Sequence, residues 1–354
     1  MSKIGIITFY GNSNYGNRLQ NLAVQTILEE YGFKAETLVF MNNRFKWWTY
    51  NYRMYVKGII HRDPNIFRIL NFLKFNKKYI NMRYLYEKEN KIPSKFVSKY
   101  AYFVTGSDQV WNVCYKTVAR NTDLYFLLFS EDSQKVCISP SIGVSTIPEE
   151  YTGQLREWLS GFRYLSCREK KGAQEITRIT GRECEWLIDP TLYVTREQWE
   201  RILSLKPVRQ SPYVFVFFLV GMSKDLSEHI EKYAESAGYT VINPSDPKSG
   251  FYSIGPAKFI ELLANAQIVF TDSFHVTAFS INFHKPFYVF NRKTGQNVTS
   301  RIESVCERFC LSERYIRQHK PFVIYESCSF EAADKQLIIE RKKFMDYLDR
   351  CFQK

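Results

Sequence analysis

Short, nearly unbroken apolar runs alternate along this chain with stretches whose apolar residues recur at helical spacing. That alternation constrains the fold more than any other feature. Runs such as Ile4–Phe9, Tyr100–Thr105 and Tyr213–Val220 suit strands covered on both faces. After the first run, Leu19, Leu22, Ala23, Ile27 and Leu28 form one helical stripe over Asn17–Tyr31, stopped by Gly32. Strand then helix, repeated, predicts an α/β fold with parallel sheets joined by helical crossovers. Glu36–Phe40 is a second strand, and Lys135–Ser139, Tyr164–Cys167 and Glu185–Ile188 are expected to continue the first sheet. A second series follows: strands at Tyr239–Asn243, Gln267–Thr271 and Pro286–Phe290, helices at Lys224–Ala237, Pro256–Ala266 and Phe274–Phe283.

A chain of 354 residues accommodates two such domains. Prolines flanking the polar stretch Lys206–Pro212 place the boundary there, giving domains at 1–207 and 208–329. The tail 330–354 reads as an amphipathic helix returning to the first domain. No apolar run of about 20 residues is present, and Met1-Ser2-Lys3 leads straight into a strand-like run rather than a signal peptide. A cytoplasmic protein is therefore expected.

The net charge of +13 has one main source. Between Arg44 and Lys95 stand thirteen Lys/Arg and three acids, mixed with many aromatics from Phe45 to Tyr86. This segment, about 41–98, reads as a helical insertion broken around Pro64 and Pro93. Basic charge with amphipathic aromatics suits an anionic membrane surface at the inner face of the plasma membrane. An ordinary insertion with aromatics in the core and solvated lysines fits equally well. No helix-turn-helix, zinc finger or RNP-like strand supports a nucleic-acid partner.

Eight scattered cysteines include no CxxC pair, and five histidines show no ligand spacing, so buried free thiols and no metal site are expected. Cys306 and Cys310, four apart, would share one helical face.

Ligands of open α/β sheets sit beyond the carboxyl ends of the strands, which selects four loops. Gly11–Arg18 has Walker-like glycine spacing but ends in Gly16-Asn17-Arg18 without the Lys-Ser/Thr pair, and it fails GxGxxG. What remains is a loop at a helix amino terminus, suited to an anion or to a tight turn, with Asn12 and Asn17 available to sugar hydroxyls. Thr105–Asn112 carries Ser107, Asp108 and Trp111, which could stack and hydrogen-bond a carbohydrate or cap a helix. Arg168 leaves a strand end, where a guanidinium can grip phosphate or carboxylate in bidentate fashion, although a lone arginine there is more often structural. Ser273 stands in capping position before His275, which falls on the first turn of a helix, where it could meet a bound anion or shuttle a proton, or equally be a satisfied structural histidine.

In order along the chain, KIGIITFYGNSNYGNRLQN, FVTGSDQVWN, CREKKG, the DPTLY of Asp189–Tyr193, IVFTDSFHVTAFSINFHKPFYVF and SRIESV resemble the polysaccharide pyruvyltransferase family. The resemblance implies a GT-B-like fold, two Rossmann-like domains around a cleft. It implies transfer of the pyruvyl group of phosphoenolpyruvate onto two hydroxyls of a sugar in a capsule, exopolysaccharide or lipid-linked precursor, forming a cyclic ketal and releasing phosphate. No metal or other cofactor is implied, phosphoenolpyruvate being a co-substrate. Position by position, Arg168, Ser273 and Arg301 would hold phosphoenolpyruvate. His275 would contact its phosphate or move a proton, and Asn12, Asn17, Arg18, Ser107 and Asp108 would line the acceptor or anion side. Some members carry R-x-H where this chain has Ser273-Phe274-His275, so Arg18 or Arg301 would have to supply that missing cation. The same fold would also serve a glycosyltransferase using a nucleotide sugar, or a non-catalytic, membrane-docked component of capsule assembly.

Overall fold

The computed structural model describes residues 1–40, 44–85, 92–207, 211–292, 299–317 and 322–353; side chains at 44–51, 299 and 300 lie outside that description. Five parallel strands build the first sheet: β1 (Lys3–Ile7), β2 (Lys34–Phe40), β3 (Met82–Leu85), β4 (Tyr102–Thr105) and β5 (Lys135–Cys137), in the order β3-β2-β1-β4-β5. Two further strands, β6 (Leu165–Cys167) and β7 (Cys184–Trp186), pair among the described residues only with each other. The second large sheet runs β12-β11-β10-β8-β9, from β8 (Tyr213–Phe217), β9 (Thr240–Ile242), β10 (Ile268–Thr271), β11 (Phe287–Phe290) and β12 (Tyr315–Ile316). Every pairing is parallel, which requires the helical crossovers that the alternating pattern predicts. Both orders place the chain reversal beside β1 or β8, the crevice position of doubly wound folds. Two Rossmann-like sheets around one cleft make the architecture GT-B-like.

The central strands are sealed on both faces: Ile4, Ile6, Val104, Phe215, Val269 and Phe287 are all fully buried. A single apolar core runs from the helix Tyr15–Glu30, behind the first sheet, into the helices Pro256–Asn265 and Phe274–Asn282 of the second. The tail helix Glu331–Phe352 packs on the first sheet. Phe352 meets Tyr31, Phe33 and Tyr102, and Tyr31 Oη donates to Asp349 at 2.9 Å. No helix among the described residues is long and apolar enough to cross a membrane.

Several expectations need correction. Tyr164–Cys167 and Glu185–Ile188 do not continue the first sheet. Ser166 and Tyr347 side chains occupy the seam between β5 and β6: Ser139 N donates to Ser166 Oγ at 3.1 Å and Tyr347 Oη to Cys137 O at 2.8 Å. These side-chain bonds satisfy main-chain groups that a ladder would otherwise pair. The insertion is not purely helical either, because Met82–Leu85 adds an edge strand beside β2. Trp111 is 1% exposed and stacks on Phe126 at 5.9 Å, so it serves the core rather than a sugar. No helix starts at Ser107 or Asp108. Cys306 is buried, but its helix ends at Arg308 and Cys310 is exposed, as is Cys114. Residues 208–210 of the proposed boundary, and 86–91 of the insertion, lie outside the described residues.

Candidate active site

The carboxyl ends of both large sheets open onto one cavity of about 320 Å³. The first domain contributes Ser13–Gly16 after β1, Asp108 and Gln109 after β4, and Arg168 after β6. The second contributes Leu219 after β8, Ser273–His275 after β10, Arg292 after β11, and Arg301 from the helix Thr299–Arg308. Arg68 reaches the same wall from the insertion helix Pro64–Tyr79. Among the described residues, four arginines thus share a wall on which Asp108 is the one carboxylate.

Arg168 is the hub. Its Nη1 donates to Asp189 Oδ2 at 2.8 Å and to Ser107 Oγ at 3.2 Å, and lies 3.4 Å from His275 Nε2. Asp108 and Glu169 carboxylates stand 3.7 and 3.6 Å away, and the guanidinium rests on the Phe274 ring at 4.7 Å. Its buried Nε has no hydrogen-bond partner. Burial works against the Arg168 charge, but the three carboxylates outweigh it and raise its pKa. Burial would likewise raise Asp189, yet the Arg168 guanidinium holds that carboxyl down to about 2. Asp108 is also lowered, with Arg168 again overcoming burial.

His275 sits on the first turn of the helix Phe274–Asn282. Gly16 makes room for its ring, since a Cβ there would lie 2.2 Å from Nδ1. Burial pushes His275 down to about 4; Asp189 pulls the other way and Arg168 adds to the depression. The imidazole is therefore neutral at neutral pH. Because an arginine can only donate, Nε2 facing Arg168 carries the lone pair.

Arg301 is buried, makes no ion pair among the described residues, and leaves its Nε without a partner. Burial, with repulsion from Arg168, lowers it to about 10, so it stays charged at neutral pH. Arg292 Nε donates to Asp272 O at 3.1 Å with the Asp272 carboxylate at 3.7 Å. Arg68 lies between Tyr15 and Tyr252, 4.6 and 4.8 Å from the ring centroids, and donates to Ser13 O at 3.0 Å.

Of the residues singled out in the sequence, His275, Arg168, Ser273, Arg301 and Asp108 line the cavity. Ser273 occupies the capping position, but its hydroxyl makes no capping bond. Ser107 lies beneath the wall and hydrogen-bonds Asp189 at 2.7 Å. Asn17 and Arg18 are buried behind it: Asn17 Nδ2 donates to Asp108 Oδ2 at 3.1 Å and Arg18 Nε to Asn17 Oδ1 at 3.0 Å, with Arg18 also bonded to Phe9 O. Asn12 accepts from Asn76 of the insertion at 3.0 Å and is off the wall. Three participants were missed. Asp189 lay in plain view as the Asp-Pro of DPTLY, where its Oδ1 caps Thr191 N at 3.0 Å while Oδ2 holds Arg168. Arg68 and Arg292 carried no motif. No group of acidic, His and Cys side chains suited to a metal occurs among the described residues.

Residues 14–294 match the family described as polysaccharide pyruvyl transferase. The chain belongs to that family. Membership supports a pyruvyltransferase role in polysaccharide biosynthesis, and hence a transferase. No curated protein matches the sequence. Among solved structures, the pyruvyl transferase chain is similar to a functionally uncharacterised protein from Klebsiella pneumoniae at 12% identity and TM-score 0.42, covering 90% of this chain and 93% of that one. It is also similar to the E. coli heptosyltransferase WaaC with ADP-2-deoxy-2-fluoro heptose, at 11% identity and TM-score 0.37, covering 83% and 90%.

Proposed function

We propose that this protein transfers the pyruvyl group of phosphoenolpyruvate onto two hydroxyls of a sugar in a surface polysaccharide or its lipid-linked precursor. One observation carries the reading: the shared cavity holds two buried, charged guanidinium groups, Arg168 and Arg301, beside a neutral His275, and Arg301 has neither an ion pair nor a partner for its Nε among the described residues. A buried donor left unpaired is costly, and a phosphate or carboxylate would satisfy it.

In this reading Arg168 and Arg301 hold the phosphate and carboxylate of phosphoenolpyruvate, with Ser273 alongside. Asp189 and Ser107 fix Arg168 from behind, with Asp108 beside it on the wall. Neutral His275 accepts the proton of the first acceptor hydroxyl as that oxygen bonds C2. The proton passes to C3, turning the methylene into a methyl group. The C2–O bond to phosphate then breaks, the second hydroxyl adds to C2, and its proton leaves with phosphate. Arginines aimed at the departing phosphate stabilise the charge that develops there. Arg68, on the insertion side of the cavity, faces the acceptor.

Ligand-induced thermal shift tests the donor. Phosphoenolpyruvate at 100 times its Kd should stabilise the protein by about 2.7 kcal/mol. Arg301→Gln, which breaks no ion pair among the described residues, should abolish most of that shift while keeping the unliganded Tm. Stabilisation by uridine diphosphate but not by phosphoenolpyruvate would overturn the reading in favour of a nucleotide-sugar transferase.

A further inference from the structure

The insertion presents a surface that the cleft chemistry does not use. Its helix Arg44–Ile60 turns into the helix Pro64–Tyr79 through Asp63, whose N–H donates to Gly58 O at 2.8 Å. The two helices meet at Gly58, where a Cβ would lie 2.1 Å from Ile66 Cγ1. At about 3.6 residues per turn, Tyr52, Val56, Ile59 and Ile60 fall within roughly 100° of arc, on the side away from Gly58. All four are exposed, Ile60 at 72% and Tyr52 at 57%. Arg53 and Lys57 border the stripe, and both are exposed, as are Arg62, Lys74, Lys77 and Lys78. From Tyr52 to Leu85 there are eight Lys/Arg and a single acid, Asp63. Water alone gives no reason for aligned apolar side chains to stand outward inside a basic border.

We propose that this outer face docks on an anionic membrane surface. Tyr52, Val56, Ile59 and Ile60 enter the headgroup boundary, and Arg53, Lys57 and Arg62 pair with lipid phosphates. The partner helix of the same hairpin carries Arg68 to the cavity wall, so docking sets the cleft beside lipid-borne acceptors. The docking surface stands independently of the donor assigned above.

Cosedimentation of the full chain with vesicles tests this, using phosphatidylcholine alone or with about one-third phosphatidylglycerol. Binding should require the anionic lipid, weaken with salt, and fall about fivefold for each of Arg53→Gln and Lys57→Gln. The double variant Ile59→Asp/Ile60→Asp should lose binding while keeping its Tm and its phosphoenolpyruvate shift. Failure of the wild-type chain to bind anionic vesicles would overturn the proposal, as would wild-type binding by the double variant. So would sedimentation velocity showing a lipid-free dimer that the double variant dissociates, because the stripe would then cover a second copy.

Discussion

Gly16 and His275 are a tightly interdependent pair in the cavity wall. The helix Tyr15–Glu30 brings its backbone so near the imidazole that a methyl group cannot fit. Gly16→Ala should therefore displace His275 and cut turnover by about 100-fold or more, the scale of an ångström's misplacement in a reacting site, while lowering stability by about 1–3 kcal/mol. Steady-state kinetics beside a melting curve checks this. His275 also makes a pH prediction. Its folded pKa of about 4 lies below its ordinary 6.5, so the unfolded chain binds more protons between those values. The contribution is present above pH 6.5 and lost as pH falls toward 4. Denaturant melts at pH 5 and pH 7 should show the wild type gaining more on going to pH 7 than His275→Asn does. Arg168 and His275 were legible in the sequence because each follows a buried strand. Asp189 was not, since an Asp before Pro reads first as a helix cap, and only the fold shows its second oxygen on a guanidinium.

At the scale of elements, the insertion is a strap between domains as well as a surface. Asn71 Nδ2 donates to Ser253 O at 2.7 Å, and Tyr252 Oη donates to Asn65 Oδ1 at 2.7 Å. Arg68, wedged between Tyr15 and Tyr252, stands on the same helix. Arg68→Leu should leave the phosphoenolpyruvate thermal shift within experimental error and raise the acceptor KM by about tenfold, the loss of one charged hydrogen bond. An equal loss of the phosphoenolpyruvate shift would place Arg68 on the donor instead. The insertion was expected to be helical in pieces, broken around Pro64, but β3 was hidden: Met82-Arg83-Tyr84-Leu85 is short, charged and half-exposed, as an edge strand can be. The separation of β5 from β6 was equally hidden, because it depends on Tyr347, 210 residues from Cys137 in sequence. Tyr347→Phe removes one of two donors to Cys137 O, Ser166 Oγ remaining at 3.2 Å, and should cost about 0.5–1.5 kcal/mol, measurable by denaturant unfolding.

At the scale of the whole molecule, two parallel sheets converge their strand ends on one cavity, and both sheets supply its wall. Arg168 and Asp189 come before β8 in the chain, His275, Arg292 and Arg301 after it. The fold was readable because two-faced burial leaves continuous apolar runs, a signal that needs no partner strand to be recognised. The convergence of Arg168 with His275, 107 residues later, rested on the rule for strand ends, whereas the insertion's reach into the cavity followed no local pattern. The most direct test is a crystal structure with phosphoenolpyruvate bound. The predicted result places its phosphate or carboxylate on Arg168 and Arg301, with C3 within proton-transfer reach of His275 Nε2. Phosphoenolpyruvate bound elsewhere, or a cavity filled instead by a nucleotide, would contradict it.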